Sequence, residues 1–284
     1  MDATDCCILN AGGGSWAFAP LAELLSCALW IDVAAVPRHF NYLLLADDAV
    51  ADARQSFFIP VASMELAADK RALARVFAAR SVPTPETHLV ESLEDARRLA
   101  ATDGGKSWCL KFPTGCGATG HRLLTNETAV LDTWPRPLVV QEFIRMERPE
   151  VFRLYAAGGH LFGWVARRFP PGVKPSPWVA HARGAQYELA GNPPAGAMAA
   201  ARAALDVTGL LATFGCVDLL RRTTGEWVVL EVGTDGMFNH VDRDLGLPEL
   251  ELDIQQRIAE AFWQKVSDRR PWGDRWHPRP SAVA

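Results

Sequence analysis

A lysine followed by three closely spaced glycines, near the middle of the chain, constrains the possible fold more than any other feature. Trp108–Phe112 has the pattern of a short buried strand and carries Lys111 near its end, and the glycine loop from Gly115 to Gly120 follows. Glycine lets the backbone approach an anion closely, and the exposed N–H groups of such a loop can hold phosphate. Lys111 adds a positive charge where the strand enters the loop, and we expect it to be solvent-accessible until a phosphate ligand binds.

The segment after the loop decides which class of phosphate-binding loop this is. Gly115, Gly117 and Gly120 spell the GxGxxG pattern of dinucleotide-binding proteins, which requires a helix to begin inside the loop. Here His121–Asn126 has the pattern of a short strand that ends in a turn, and no Lys-Ser/Thr pair follows the last glycine. The sequence therefore predicts a strand–loop–strand flap over phosphates, and the loop taken alone leaves a plain tight turn as the alternative.

Two carboxylates interrupt apolar strands in the second half of the chain. Asp218 lies in the predicted strand Phe214–Leu220, and Glu231 lies in Trp227–Val232, with Gly225 in the turn between them. A buried carboxylate needs a cation or another strong partner. On adjacent strands the two could hold Mg²⁺, which would bridge nucleotide phosphates. If both are unpaired in the empty protein they repel each other, so neutralising either one should leave stability unchanged or raise it. The alternative is that both face solvent.

The remaining pattern alternates strands and helices, which indicates an α/β (α+β) protein. A helix from Asp69 and a capped helix after Ser92 precede the glycine loop, and Gly158-Gly159 indicates a β-hairpin. The other predicted elements are strands at Cys6–Asn10, Ile31–Val36 and Leu138–Ile144 and helices at Ala19–Trp30, Ala195–Leu211 and Leu250–Val266.

Several short motifs occur in an order that resembles the ATP-grasp superfamily. They are Asp69-Lys70, Val82–Thr87, Lys111-Phe112-Pro113 with the glycine loop, Val139–Ile144, Glu150–Arg153, Cys216–Asp218 and Leu230-Glu231. In detail the sequence is similar to the amino-acid-adding ligases, among them the enzymes that add glutamate to a ribosomal protein, and more distantly to D-alanine–D-alanine ligase. The resemblance covers roughly 62–247.

This resemblance implies the ATP-grasp fold and a domain organisation. We expect a small N-terminal α/β domain at 1–61 and two ATP-binding subdomains. The central subdomain, with the glycine-rich lid, would occupy 62–136, and the C-terminal subdomain, with the metal site, 137–268. An irregular tail would follow at 269–284.

The resemblance also implies ATP and Mg²⁺ as cofactors and assigns roles to residues. Lys70 and Lys111 would bind the phosphates, Glu150 the ribose, and Asp218 and Glu231 the metal. The lid would comprise Gly115, Cys116, Gly117, Ala118, Thr119 and Gly120, and the adenine hinge Gln141, Glu142, Phe143 and Ile144. Arginines at Arg153, Arg168 and Arg183 would hold the transferred phosphoryl group and the substrate carboxylate, since a guanidinium matches both. For Arg167, a role as an ordinary surface arginine is an equally good explanation.

The sequence departs from the family pattern in two places. Gly233 occupies the position of the usual metal-binding Asn after the acidic strand, so either Asp235 or Asn239 supplies the missing oxygen or only one metal is held well. Cys216 stands where some relatives carry an arginine before the metal aspartate.

The expected function is an ADP-forming ligase that activates a carboxylate as an acyl phosphate and joins it to an amine. The alternatives are an ATP-grasp phosphotransferase, a ligase with a non-amine acceptor, or an ATP-binding module without turnover. Substrates would be small molecules or peptides. No nucleic-acid partner is expected at a net charge of −4, and no membrane partner, because Pro20, Glu23 and Asp32 break the longest apolar stretch. Six cysteines without a CxxC pair are typical of buried thiols in a cytoplasmic protein.

Overall fold

The computed structural model describes residues 7–10, 18–30, 41–45, 58–103, 105–115, 117–234 and 248–268. Within these ranges the chain forms six helices and twelve strands in three sheets. The helices are α1 (Ala19–Leu25), α2 (Val61–Ala68), α3 (Lys70–Ala79), α4 (Leu93–Thr102), α5 (Ala195–Val207) and α6 (Pro248–Asp268). The strands are β1 (Cys7–Asn10), β2 (Ala28–Trp30), β3 (Asn41–Leu45), β4 (Thr87–Val90), β5 (Trp108–Lys111), β6 (Arg122–Leu123), β7 (Leu138–Glu142), β8 (Glu150–Ala157), β9 (His160–Arg168), β10 (Gln186–Leu189), β11 (Phe214–Arg221) and β12 (Trp227–Gly233).

The N-terminal unit is a parallel sheet in the order β2-β1-β3, with β1 close to its predicted position. The prediction of one helix through Trp30 was wrong, because α1 ends at Leu25. Ser26 adopts a left-handed conformation with φ of 54°, and its N–H donates to the carbonyl of Glu23. The chain then turns into β2. The strand predicted at 31–36 lies outside the described residues.

The central sheet has the order β4-β7-β5-β6, and all its strand pairs are antiparallel. The glycine loop joins β5 to β6, so the predicted strand–loop–strand arrangement is confirmed. Gly115, Gly117 and Gly120 have φ of 84°, 65° and 75°, a region of backbone conformation that glycine adopts without steric cost. The predicted cap is also present, since Ser92 Oγ accepts from the Asp95 N–H at 3.0 Å at the start of α4.

The C-terminal sheet has the order β10-β9-β8-β11-β12, and it too is antiparallel throughout. Gly158 and Gly159, both with positive φ, form the predicted hairpin turn between β8 and β9. Helix α5 packs on β11 and β12, and α6 packs on β8. Because side chains alternate along a strand, the opposite face carries every second residue, and this face holds the charged groups described below.

Two main cores stabilise the described part of the chain. The larger contains residues of α1, α2, α3, the five-stranded sheet, α5 and α6, and the smaller lies between α4 and the central sheet. The predicted division at 136/137 falls just before β7, which pairs with β4 and β5, so the central sheet itself continues to Glu142. No helix among the described residues is both long and apolar enough to cross a membrane.

Candidate functional site

A cavity of about 800 Å³ lies between the central and C-terminal sheets. Its apolar lining includes Phe143, Ile144, Met146, Leu220 and Leu230. Besides Glu142, its charged lining consists of Lys70, Lys111, Arg167, Asp218 and Glu231. These five residues and Arg153 are called the charged cluster below.

Lys70 stands at the first turn of α3, where the Asp69 carboxylate caps the helix by accepting from the Arg71 N–H at 2.8 Å. Lys70 Nζ donates to the carbonyl oxygen of Gly115 at 2.8 Å and lies 3.9 Å from Glu231 Oε2. The lysine therefore connects the glycine lid to the acidic strand of the other sheet.

Lys111 points into the same cavity from β5 and is only 9% exposed. Burial lowers the pKa of its ammonium group, and the nearby charge of Lys70 lowers it further, although Cys109 and Glu231 act in the opposite direction. The sequence predicts a lysine on a solvent-accessible flap, whereas the structure places it inside the cleft. A buried cation facing an open cavity favours an anionic ligand.

Asp218 and Glu231 are register partners on β11 and β12, as the sequence suggests, but neither carboxylate is unpaired. Asp218 is 3% exposed and accepts from Arg153 Nε at 2.8 Å, from Arg153 Nη2 at 3.2 Å and from Arg167 Nη2. Burial raises the pKa of Asp218, but the charges of Arg153 and Arg167 outweigh it and lower the pKa to about 2. The expectation of two mutually repelling carboxylates was wrong, because cross-strand arginines and Lys70 balance them.

The residues in this cleft fit a magnesium ion that takes part of its coordination from phosphate. Mg²⁺ is usually bound by one or two carboxylates together with substrate phosphates. Asp218 and Glu231 line the cleft and could supply the two carboxylates, although Asp218 also accepts from two arginines. No group of three or more His, Cys, Asp or Glu side chains that could hold a metal occurs among the described residues. Asp235, Asn239 and the Cys116 of the lid lie outside the described residues, so their predicted roles stay predictions.

A second cavity of about 1,410 Å³ borders the charged cluster. Both cavities share Lys70, Arg167, Asp218 and Glu231, and Arg153 lines the second one. Two guanidinium nitrogens, Arg153 Nη1 and Arg167 Nε, are buried without a hydrogen-bond acceptor. Both arginines line the second cavity, and a guanidinium group is a suitable partner for a carboxylate or a phosphate.

Strand alternation explains which predicted arginines reach the site. Arg167 faces the charged cluster, so its neighbour Arg168 points to the opposite face of the sheet. There Arg168 Nε donates to Glu150 Oε2 at 2.7 Å and Nη1 donates to Glu188 Oε2 at 3.1 Å. Neither Glu150 nor Arg168 is among the described residues that line the two cavities. If the pairing next to the hairpin turn continued regularly, Arg153 would lie opposite Trp164 and on the same face as Arg168. A register shift between Arg153 and Tyr155 places Arg153 opposite Val165 instead and so brings Arg167 to the site, which the sequence pattern does not indicate.

The glycine lid contacts the connection between β9 and β10. Gly115, Gly117 and Ala118 line the first cavity, whereas Thr119 and Gly120 do not. A Cβ atom on Gly117 would lie 3.3 Å from the Cβ of Ala182. Arg183 is exposed and its Nη2 donates to the carbonyl oxygen of Ala118 at 3.4 Å, so the structure brings this predicted catalytic residue to the lid.

His121, at the end of the lid, lines the cavity and was not among the predicted site residues. Burial lowers the pKa of its imidazole to about 3, and Lys111 and Lys70 contribute to the shift. The ring is therefore neutral at ordinary pH. Its position beside two lysines depends on the folded lid, which the sequence pattern does not indicate.

The predicted hinge residues lie together along β7 and just after it. Gln141, Glu142, Phe143 and Ile144 all line the cavity. The Glu142 carboxylate is held by Arg222, with Nη1 to Oε1 at 2.5 Å and Nη2 to Oε2 at 2.7 Å. Since this ion pair occupies the Glu142 side chain, Glu142 would contact a ligand through its main-chain atoms.

Comparison with known proteins gives a fold and leaves the reaction open. No protein-family model matches the chain, and no curated protein matches its sequence. Solved structures do match. The ATP-grasp ligase PsnB complexed with minimal precursor, Mg and ADP is 13% identical with a TM-score of 0.66, covering 93% of this chain and 98% of that chain. A RimK domain ATP-grasp protein from Sphaerobacter thermophilus is 19% identical with a TM-score of 0.63, covering 91% and 99%. The D-cycloserine synthetase DcsG is 17% identical with a TM-score of 0.61, covering 90% and 99%. The chain has the ATP-grasp fold.

Proposed function

We propose that this chain is an ATP-dependent ligase that activates a carboxylate as an acyl phosphate and couples it to an amine, releasing ADP and phosphate. One observation carries the proposal. The charged cluster lies where the two cavities meet, so a phosphate chain in the first cavity and a carboxylate in the second would face each other across it.

The first cavity has both an apolar surface and a positively charged surface, and a nucleotide requires the two together. Its apolar side chains provide a surface for a base, and Lys70 and the buried Lys111 provide charge for phosphate oxygens. The glycine lid and the hinge strand border the same space. The structure of PsnB with Mg and ADP supports ATP and Mg²⁺ as the cofactors of a protein with this fold. When bound, Mg²⁺ would neutralise phosphate charge, with Asp218 and Glu231 as its protein ligands.

The second cavity suits the acid. Arg153 and Arg167 line this cavity, and their guanidinium groups would bind the substrate carboxylate and orient it toward the phosphate side of the cluster. A carboxylate oxygen then attacks the γ-phosphorus as the bond to the β–γ bridging oxygen breaks, giving the acyl phosphate and ADP. The amine next attacks the acyl carbon, phosphate leaves and the amine loses a proton. The protein positions the groups and neutralises charge, which is the main requirement of phosphoryl transfer.

The substrates would be peptides or small molecules. One structure of PsnB holds the precursor peptide PsnA2, and DcsG is a D-cycloserine synthetase, so proteins of this fold include examples of both kinds. A phosphotransferase with the same cofactor is the second candidate, because an acid-binding cavity beside a nucleotide cavity serves either outcome.

The test is product analysis with hydroxylamine as a trapping nucleophile. Purified protein is incubated with MgATP and a panel of amino acids and acidic peptides, with and without hydroxylamine, and ADP, phosphate and hydroxamate are measured. When the correct acid and hydroxylamine are both present, a ligase of this kind forms hydroxamate and ADP. A stable phosphorylated product would instead establish a phosphotransferase, and thermal stabilisation by MgATP without ADP formation would indicate a binding module.

A further inference from the structure

Trp178 makes a ring contact on each side of the first cavity. It lies on the connection between β9 and β10. Its indole is 5.3 Å from the ring of Phe143, at an interplanar angle of 83°, and 5.4 Å from the ring of His121, at 78°. Phe143 follows the hinge strand and His121 ends the glycine lid. All three rings line the cavity, so Trp178 connects the hinge to the lid through contacts within the site.

The same connection also contacts the rest of the lid. Gly117 approaches Ala182 closely, and the Arg183 guanidinium donates to the carbonyl of Ala118. We call 178–183 the docking segment. The docking segment is anchored to the C-terminal subdomain, because Val179 packs in a buried cluster with Val151 and Ala185. The lid therefore rests on a fixed part of the C-terminal subdomain.

The contact between Trp178 and His121 joins two uncharged rings. Burial keeps the imidazole neutral, since it lowers its pKa to about 3. Edge-to-face aromatic pairs are favourable at centroid distances of about 4.5–7 Å. Trp178 is half-buried and borders the cavity with its apolar surface, and an aromatic ring of this kind stacks with a planar base.

We propose that Trp178 is a positioning residue that contacts the base of a bound purine nucleotide and couples its presence to docking of the lid. This inference rests on the proposed nucleotide site. A base that covers the indole fixes the ring between Phe143 and His121, and the ordered ring then holds the end of the lid. A side chain with only a packing role would affect stability without linking base binding to the lid.

The experiment uses MgADP as the probe and compares Trp178→Ala and Trp178→Phe with the wild-type chain. Trp134→Phe is the matched control, because Trp134 packs on Phe112 in the central core and is absent from the described lining of the cavity. Calorimetric titration gives the affinity, and hydrogen–deuterium exchange of a peptide that spans the lid and β6, residues 115–123, reports docking of the lid.

Trp178→Ala should weaken MgADP binding on the order of tenfold to a hundredfold, which matches the usual effect of removing an aromatic ring that stacks on a base. MgADP should slow exchange in the lid of the wild-type, Trp178→Phe and Trp134→Phe proteins but not in that of Trp178→Ala. If Trp178→Ala does not fold, Trp178→Leu takes its place with the same expectation.

Two results would overturn the inference, and they differ. A Trp178→Ala protein that binds MgADP as tightly as wild type, or whose lid is still protected by MgADP, removes the role of Trp178 and leaves the nucleotide site intact. A wild-type protein that binds no MgADP overturns the nucleotide proposal and this inference together.

Discussion

At the scale of single residues, the charged cluster combines a surplus of cations with a buried carboxylate. Asp218 compensates two arginines at once, and Lys111 faces the cavity without an ion pair of its own among the described residues. Positive charge is therefore left over on both sides of Asp218. A phosphate chain and a substrate carboxylate would neutralise it, which explains why the cluster lies at the junction of two cavities.

Replacing Asp218 tests this balance. Asp218→Asn should destabilise the ligand-free protein by roughly 3–5 kcal/mol, because it leaves two buried guanidinium groups without a counter-charge. Glu231→Gln is the control, since its side chain is 37% exposed and its partner Lys70 is 3.9 Å away, and it should change stability little. Urea unfolding measures both, and equal stability of wild type and Asp218→Asn would refute the pairing.

His121 gives a prediction about pH. Its pKa is about 3 in the folded chain and about 6.5 when unfolded, so between these values the unfolded chain binds more protons. Stability from this site therefore falls as pH drops from about 6.5 toward 3. A His121→Gln protein lacks this loss and should gain stability relative to wild type at pH 4.5 but not at pH 7.5. An equal stability difference at both pH values would show that the imidazole is not buried in its neutral form.

At the scale of elements, patterns that depend on neighbouring residues could be predicted and those that depend on distant contacts could not. The strand–loop–strand at the glycine loop and the Gly158-Gly159 hairpin follow from local backbone requirements. The end of α1 depends on a left-handed Ser26, which no residue type in that position signals. The edge strand β10 forms by pairing with β9, so its position is set by tertiary structure.

The candidate site, too, could be predicted from the sequence only in part. Lys70, Lys111, Asp218 and Glu231 all line one cavity, and each lies in an element that the sequence pattern reveals. The pairing of Asp218 with arginines depends on the register of β8, β9 and β11, which the sequence does not show. Trp178 reaches the cavity from an irregular connection, where no periodicity indicates which side chain faces inward.

Two lid glycines provide a matched pair of substitutions. Gly115 and Gly117 both have positive φ, but a Cβ on Gly115 meets nothing within 4 Å, whereas one on Gly117 meets Ala182. Gly117→Ala should therefore weaken MgATP binding more than Gly115→Ala, by roughly fivefold or more, since overpacking costs about 1–3 kcal/mol. Titration of the two proteins measures the difference. Equal affinities would mean that the lid does not dock on 178–183 when nucleotide binds.

At the scale of the whole molecule, the two antiparallel sheets are joined along the edge of the first cavity. Arg222, just after β11, donates to the carboxylate of Glu142 at the end of β7, and the Val229 N–H donates to the carbonyl of Pro83 at 2.8 Å. These partners are far apart in sequence, 80 residues in the case of Glu142 and Arg222. Contacts of such long range position the hinge against the acidic strands, and they create a cleft that neither sheet forms alone.

The measurement that tests the account most directly is calorimetric titration of MgATP into the wild-type protein and Lys111→Met, with NAD as the comparison ligand. The account predicts saturable binding of MgATP, no binding of NAD, and an affinity for MgATP lower by roughly tenfold to a hundredfold in Lys111→Met, because a charge-assisted phosphate contact is worth about 1.5–3 kcal/mol. Lys111→Met should fold at least as stably as wild type, since it removes a buried charge. Binding of NAD without MgATP, or an unchanged affinity for MgATP in Lys111→Met, would contradict the assignment of this cleft as an ATP site.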